Sequence, residues 1–213
     1  MKAFFFCALA VALAASAARS APLQRDLGMG LSYVRVHVLP GDLPAPATAG
    51  VHPWVLDVRY VPGGEAEAAA LLGWLKQHAS IHTPVILLAN RDTSAALLAP
   101  LNSPDAVTGL VIVGASAPGF SPDIGLPVAP ADERRAYDAM EKGASVESLI
   151  TDRVLKSRND EATLARARLS DSGADDLEPP ATAAPAATPP PLIDPVLQRA
   201  VQLDRSLLAL KRL

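Results

Sequence analysis

Few side chains in this sequence stand at spacings that could do chemistry. Asp57 and Arg59 lie two apart in LDVRYVPGG, residues 56–64. A period-2 pattern sends Val55, Asp57, Arg59 and Val61 one way and Trp54, Leu56, Val58 and Tyr60 the other. A charged pair on one strand face reads as a structural ion pair or a hydrogen-bond bracket for neighbouring loops; a catalytic role would need a base within reach of a nucleophile. Pro62 has no N–H and ends the ladder, and Gly63 and Gly64 then admit positive φ and bring bare N–H groups to whatever binds there. Such a turn is either punctuation or an anion-cradling nest.

Ser94, in RDTSAALL, opens a helical pattern and is by position an ordinary N-terminal polar residue or an exposed nucleophile. GASAPG at 114–119 has one residue too many for the G-x-S-x-G elbow, and Pro118-Gly119 break the helix that elbow needs. His78 and His82, four apart, could hold a metal on one helix face. No third ligand has fitting spacing, however, and Pro84 ends the helix nearby, so a partner for the helix C-terminus is the simpler role and no metal is expected. His37 and His52 are isolated in sequence, and no phosphate loop or dinucleotide fingerprint is present, so no cofactor is expected.

The elements that would position these groups follow from hydrophobic period. GLSYVRVHVL (30–39) alternates as a strand, and the Pro- and Gly-rich stretch after it is loop. EAEAAALLGWLKQH (65–78) places Ala68, Leu71, Leu72 and Leu75 at helical spacing, with acids in its first turn where the helix dipole favours them. PVILLA (84–89) and GLVIVG (109–114) are continuous apolar runs, as strands buried on both faces require. TSAALLAPLN begins a second short helix, and SAPGFSPDIGLPVAP reads as loop. Strands alternating with helices over short connections predict an α/β fold: a small parallel-sheet core of βαβ units whose functional surface lies at the carboxyl ends of the strands.

With 213 residues, half of them hydrophobic, the chain can bury one real core. The expected order is a signal peptide over 1–20, the α/β core over 21–130, a helical extension over 131–170, a disordered Pro/Ala-rich linker over 171–193 and an amphipathic helix over 194–213. The leader has an early Lys2, an apolar stretch from Ala3 to Ala15 and small residues before Ala21; it is too short and wrongly flanked for a good membrane span. Its cleavage would export the chain to a periplasmic or secreted location and remove Cys7, the single cysteine, leaving neither disulfide nor thiol chemistry.

The mature chain would hold 17 basic and 22 acidic residues, which argues against nucleic acid or an anionic membrane as partner. In the extension, the stretches DERRAYDAMEKG, VESLITDRVL and NDEATLARARL read as amphipathic helices; the region's Arg153, Lys156, Arg158, Arg166 and Arg168 alternate with acids, as a solvated face does. Asp194-Pro195 starts the last helix, where Val196, Ala200, Leu203, Leu207 and Leu210 form an apolar stripe for the core or for a partner.

LDVRYVPGG resembles the LDLR-x-NPGG signature of the C-terminal processing, or tail-specific, serine peptidases. GLSYVRV is similar to the strand opening their catalytic domain, and PVILLANRDTSAALLAPL to their PVVVLVN…TASAAE nucleophile segment. GLVIVGASAPGF is similar to their next strand and VVGEPTFGKG loop. Together these span roughly residues 28–128. The resemblance implies Ser94 as nucleophile, with Gly63 or Gly64 and Ala95 supplying oxyanion-hole N–H groups. It also implies a lysine base held neutral by burial near the serine. Phe120 stands at the lysine position, after Gly119, and a phenyl ring can neither accept nor return a proton. Other departures are a nucleophile segment one residue short at Asp92-Thr93-Ser94, and Leu97 where the family usually has Glu.

The function expected is therefore that of a non-catalytic, exported relative acting as a binding or scaffold module for polypeptide segments or a protein partner. The alternative is an active serine peptidase in which Lys76 or a histidine replaces the missing base.

Overall fold

A computed structural model of the protein describes residues 22–45, 52–103, 106–150 and 192–210. The leader with Cys7 and its cleavage site, the stretch expected as linker over 171–191, the helix expected at 159–169 and the basic residues Arg153 to Arg168 lie outside the described residues.

Six strands form one sheet in the order of the chain: β1 (Leu23–Asp26), β2 (Ser32–Arg35), β3 (Trp54–Asp57), β4 (Val85–Leu88), β5 (Leu110–Ala115) and β6 (Ile124–Leu126). β1 pairs antiparallel with β2, and every later pair is parallel. The fold is α/β. Because parallel crossovers share one hand, a sheet that advances by one strand each time carries its connecting helices on one face. Those helices are α1 (Glu65–His78) and the short α2 (Ala95–Leu98), continued by a 3-10 turn at Ala99–Leu101. α3 (Pro130–Glu141) and α4 (Pro195–Ala209) cover the opposite face.

Each central strand therefore feeds two cores, which is why its residues read as unbroken apolar runs. Leu56 and Leu87 join Leu71 and Leu75 of α1 and Leu97 of α2 in the first core. Val55, Ile86, Leu88 and Val113 meet Met140 of α3 and Val196, Leu197, Ala200 and Val201 of α4 in the second. The Pro-rich loop after β2 is held to α1 by Trp74, whose Nε1 donates to the Pro44 carbonyl at 3.0 Å. Among the described residues no helix is long and apolar enough to cross a membrane.

Several expectations are corrected. The strand expected over 30–39 ends at Arg35, because Asp42 Oδ2 takes the N–H groups of His37 and Val38 at 2.7 and 2.8 Å and closes a turn there. β1, and β6 within the supposed loop, are edge strands too short to show a period; β6 pairs in parallel with β5, Ile124, Gly125 and Leu126 opposite Val113, Gly114 and Ala115. The stretch at Val146 gives one 3-10 turn, Glu147–Leu149, after which Ile150 is extended. On α4 the buried stripe is Val196, Leu197, Ala200, Val201 and Asp204, whereas Leu210, expected on that face, is exposed. Of the expected stripe, Val196 and Ala200 are buried and Leu203 packs against the second core, while the buried face extends to Leu197, Val201 and Asp204.

Candidate functional site

The groups of interest converge at the carboxyl ends of β3 and β4. β3 ends at Asp57, and three residues later the backbone turns through Tyr60 at φ 63°, a left-handed conformation that L-residues seldom adopt. That turn breaks the alternation read from sequence: Tyr60 swings to the α3 face, edge-on to Tyr137 with ring centroids 4.7 Å apart, and Val61 drops into the first core. The positive φ foreseen for the glycines thus falls on Tyr60. Gly64 is extended, and Gly63 is small for a different reason: a Cβ there would lie 2.8 Å from Leu97 Cδ2. The Pro-Gly-Gly turn lets α2 pack closely, and without an alternating left-handed residue it is no anion nest.

Ser94 caps α2 and is brought against this turn. Its N–H donates to the Val61 carbonyl at 3.0 Å, and its Oγ donates to the Gly63 carbonyl at 2.6 Å. The loop before it is fixed to β3 by Thr93, whose Oγ1 bonds the Val58 carbonyl and Asn90 Oδ1. Serine and glycine therefore meet, but through a carbonyl, which cannot take the serine proton. The Gly64 N–H is engaged by Glu67 Oε2 at 2.9 Å, and that bond holds the Glu67 carboxyl below its usual range. The helix thus supplies its own carboxylate to the donor an oxyanion would need. Ala95 follows as the first residue of α2.

Phe120 closes a turn against Ala117 and packs on the first core; its Cε1 would stand 2.9 Å from a Cβ at Gly114. Lys76 is exposed in the last turn of α1. It is twelve residues beyond the cap Gly64, so at about 1.5 Å per residue it is roughly 18 Å along the helix from the turn that touches Ser94. His78 likewise faces away, its Nδ1 donating to the Trp74 carbonyl at 2.7 Å, and His82 joins no metal cluster, none being found among the described residues.

Beside the turn opens a cleft of about 360 Å³ lined by His37, Val38, Leu39, Pro62, Gly63, Gly64 and Glu67. His37 and Glu67 went unnoticed as site residues in sequence. His37 is not isolated: its Nε2 lies 2.9 Å from Glu141 Oε1, and that contact, with Arg35 on the same oxygen, holds the Glu141 carboxyl low. For Glu67 a signal existed, since it stands three residues after the helix cap, where a capping box places its acid.

Asp57 and Arg59 form a bidentate pair, Nε to Oδ1 at 2.9 Å and Nη2 to Oδ2 at 2.7 Å, with neither side chain exposed. Tyr33 donates its hydroxyl to Asp57 Oδ2 at 2.9 Å. The rest of the Arg59 fork reaches Asp194, the cap of α4, at 2.8 and 3.2 Å. Asp194 Oδ1 also accepts the N–H groups of Val196 and Leu197. Burial alone would raise the Asp57 carboxyl, but the charge and hydrogen bonds of Arg59 outweigh it and hold it below its usual value. This cluster fastens α4 to the end of β3.

Compared with known proteins, the chain matches no family model, and no curated protein matches it.

Proposed function

We propose that the protein is an exported, non-catalytic relative of the tail-specific serine peptidases, a binding module that holds a polypeptide segment in the cleft beside the Pro62-Gly63-Gly64 turn. The observation that carries this reading is the Ser94 hydroxyl, which donates to the Gly63 carbonyl at 2.6 Å and has no base as its acceptor. A serine so bonded is not activated, since an amide carbonyl cannot remove the proton. Phe120 at the family's lysine position, the engaged Gly64 N–H and the distance of Lys76 along α1 support the same conclusion. Export rests on the leader-like first twenty residues.

The test is labelling with a fluorophosphonate probe and casein turnover, wild type beside Ser94→Ala, together with anisotropy of a fluorescent unstructured casein peptide. The expected result is no Ser94-dependent labelling or turnover, with peptide binding that Ser94→Ala leaves intact and Val38→Trp, which fills the cleft, weakens at least tenfold. Labelling and turnover that both vanish in Ser94→Ala would establish the peptidase instead. Absence of peptide binding would remove the module reading.

A further inference from the structure

The junction of β3, β4, α3 and α4 holds more buried negative charge than positive. Arg59 places Nε and Nη2 on Asp57 and Nη1 and Nη2 on Asp194. Arg35, the other buried cation there, stands opposite Asp57 in the strand register and spends Nη1 on the half-exposed Glu141 and Nη2 on the Tyr137 carbonyl. Glu133 is the third carboxylate. It is 3% exposed, and its Oε1 is 3.9 Å from Arg59 Nη1, beyond hydrogen-bonding distance, with no hydrogen-bond partner among the described residues. Two guanidiniums thus face three carboxylates out of water, and Glu133, whose Oε1 has no hydrogen-bond partner, carries the excess. A buried charge in that position is relieved by taking up a proton.

We infer that Glu133 is a proton switch at this junction: protonated, it lets α3 and α4 seat on the strand ends, and ionised, it loosens them. The groups facing it are Asp57, Arg59 and Tyr60 from the end of β3, Asn90 from β4 and Asp194 from α4. Its neighbour Arg134 is engaged elsewhere, on Asp138 at 2.8 Å and over the Tyr60 ring. Burial pushes the Glu133 carboxyl up, and Asp194 and Asp57 push the same way; Arg59 and the Asn90 amide offset only part of this. With a folded-state pKa above the unfolded one, the stability this proton contributes is complete below the ordinary glutamate range. It is lost as pH rises through the raised value. The switch does not depend on what the cleft binds.

Glu133→Gln, an isostere of the protonated acid, isolates the effect. Urea unfolding of wild type and variant between pH 4 and 8 should coincide at the acid end and diverge as pH rises, the variant becoming the more stable. The folded-to-unfolded ratio should favour the variant about tenfold for each pKa unit of upward shift. Hydrogen exchange at the Val196 and Leu197 amides should quicken with pH in the wild type relative to the variant. Profiles that stay parallel would overturn the inference. If the variant does not fold, carbon-13 titration of the Glu133 carboxyl in the wild type decides: a midpoint at or below about 4.3, the ordinary glutamate value, refutes the switch, and one above it upholds it.

Discussion

Arg59 is the residue on which two parts of the chain depend, because its planar fork satisfies the carboxylate of its own strand and that of the cap of α4 together. Such a cluster adds little net stability over an apolar one, but removing one partner leaves charge buried without compensation. Arg59→Ala should therefore cost about 3–5 kcal/mol in urea unfolding. Arg59→Lys should recover little of it, since a single ammonium cannot bond two carboxylates bidentately. A loss below about 1 kcal/mol would mean that water enters to solvate Asp57 and Asp194. Ser94 differs in kind: its hydroxyl bonds a half-buried carbonyl, so its removal should be felt only as the loss of one ordinary hydrogen bond.

Among the elements, α4 is the one whose place is least dictated by its neighbours in sequence. Its first turn is joined to the end of the preceding described segment by the Asp194 N–H, which donates to the Leu149 carbonyl at 2.9 Å. The chain that intervenes, 151–191, thus leaves and returns at one point. Among the described residues, α4 docks through Arg59, Leu149 and the second core. Limited proteolysis within the Pro- and Ala-rich sequence 171–191 should accordingly give two fragments that co-migrate under native conditions and separate in denaturant. Separation under native conditions would show that the covalent connection, rather than the packed interface, retains the helix.

For the molecule as a whole, the buried charge sets the response to alkali. All three tyrosines of the chain, Tyr33, Tyr60 and Tyr137, border the Asp57–Arg59 cluster or the rings beside it. Burial raises each of them, Tyr60 and Tyr137 to about 12 and Tyr33 well above its ordinary value. For a phenol raised on folding, the stabilisation is complete below the unfolded value of about 10 and is lost as pH climbs through the folded value. Tyrosinate absorbance should stay low past pH 10 and then rise together with cooperative unfolding. Tyrosines that ionise in the folded protein at the ordinary value would contradict this. Asp57 acts at the other end, its depressed carboxyl giving stability that is present above about pH 3.9 and lost as pH falls through the folded value.

The sequence by itself determined what depends on local order. α1 begins and ends at the residues its period, acidic first turn and glycine entry indicate, and the β4 and β5 runs read as strands buried on both faces. The alternation of these elements sufficed for an α/β sheet. It also placed Asp57 beside Arg59, because two residues on one strand face need no distant partner to meet.

The tertiary structure decided everything that depended on a distant neighbour. Asp194, 135 residues from Arg59, shares its guanidinium and caps α4; Tyr60 takes the positive φ in place of the glycines; His37 and Glu67 come to line the cleft. Edge strands such as β6 depended on pairing across the sheet, which a three-residue period cannot announce. The hydrogen bond of Ser94 belongs to the same class. Nothing in RDTSAALL reveals whether its hydroxyl meets a base or a carbonyl, because that choice is made by the Val61–Gly63 backbone, more than thirty residues away and turned toward it by Tyr60.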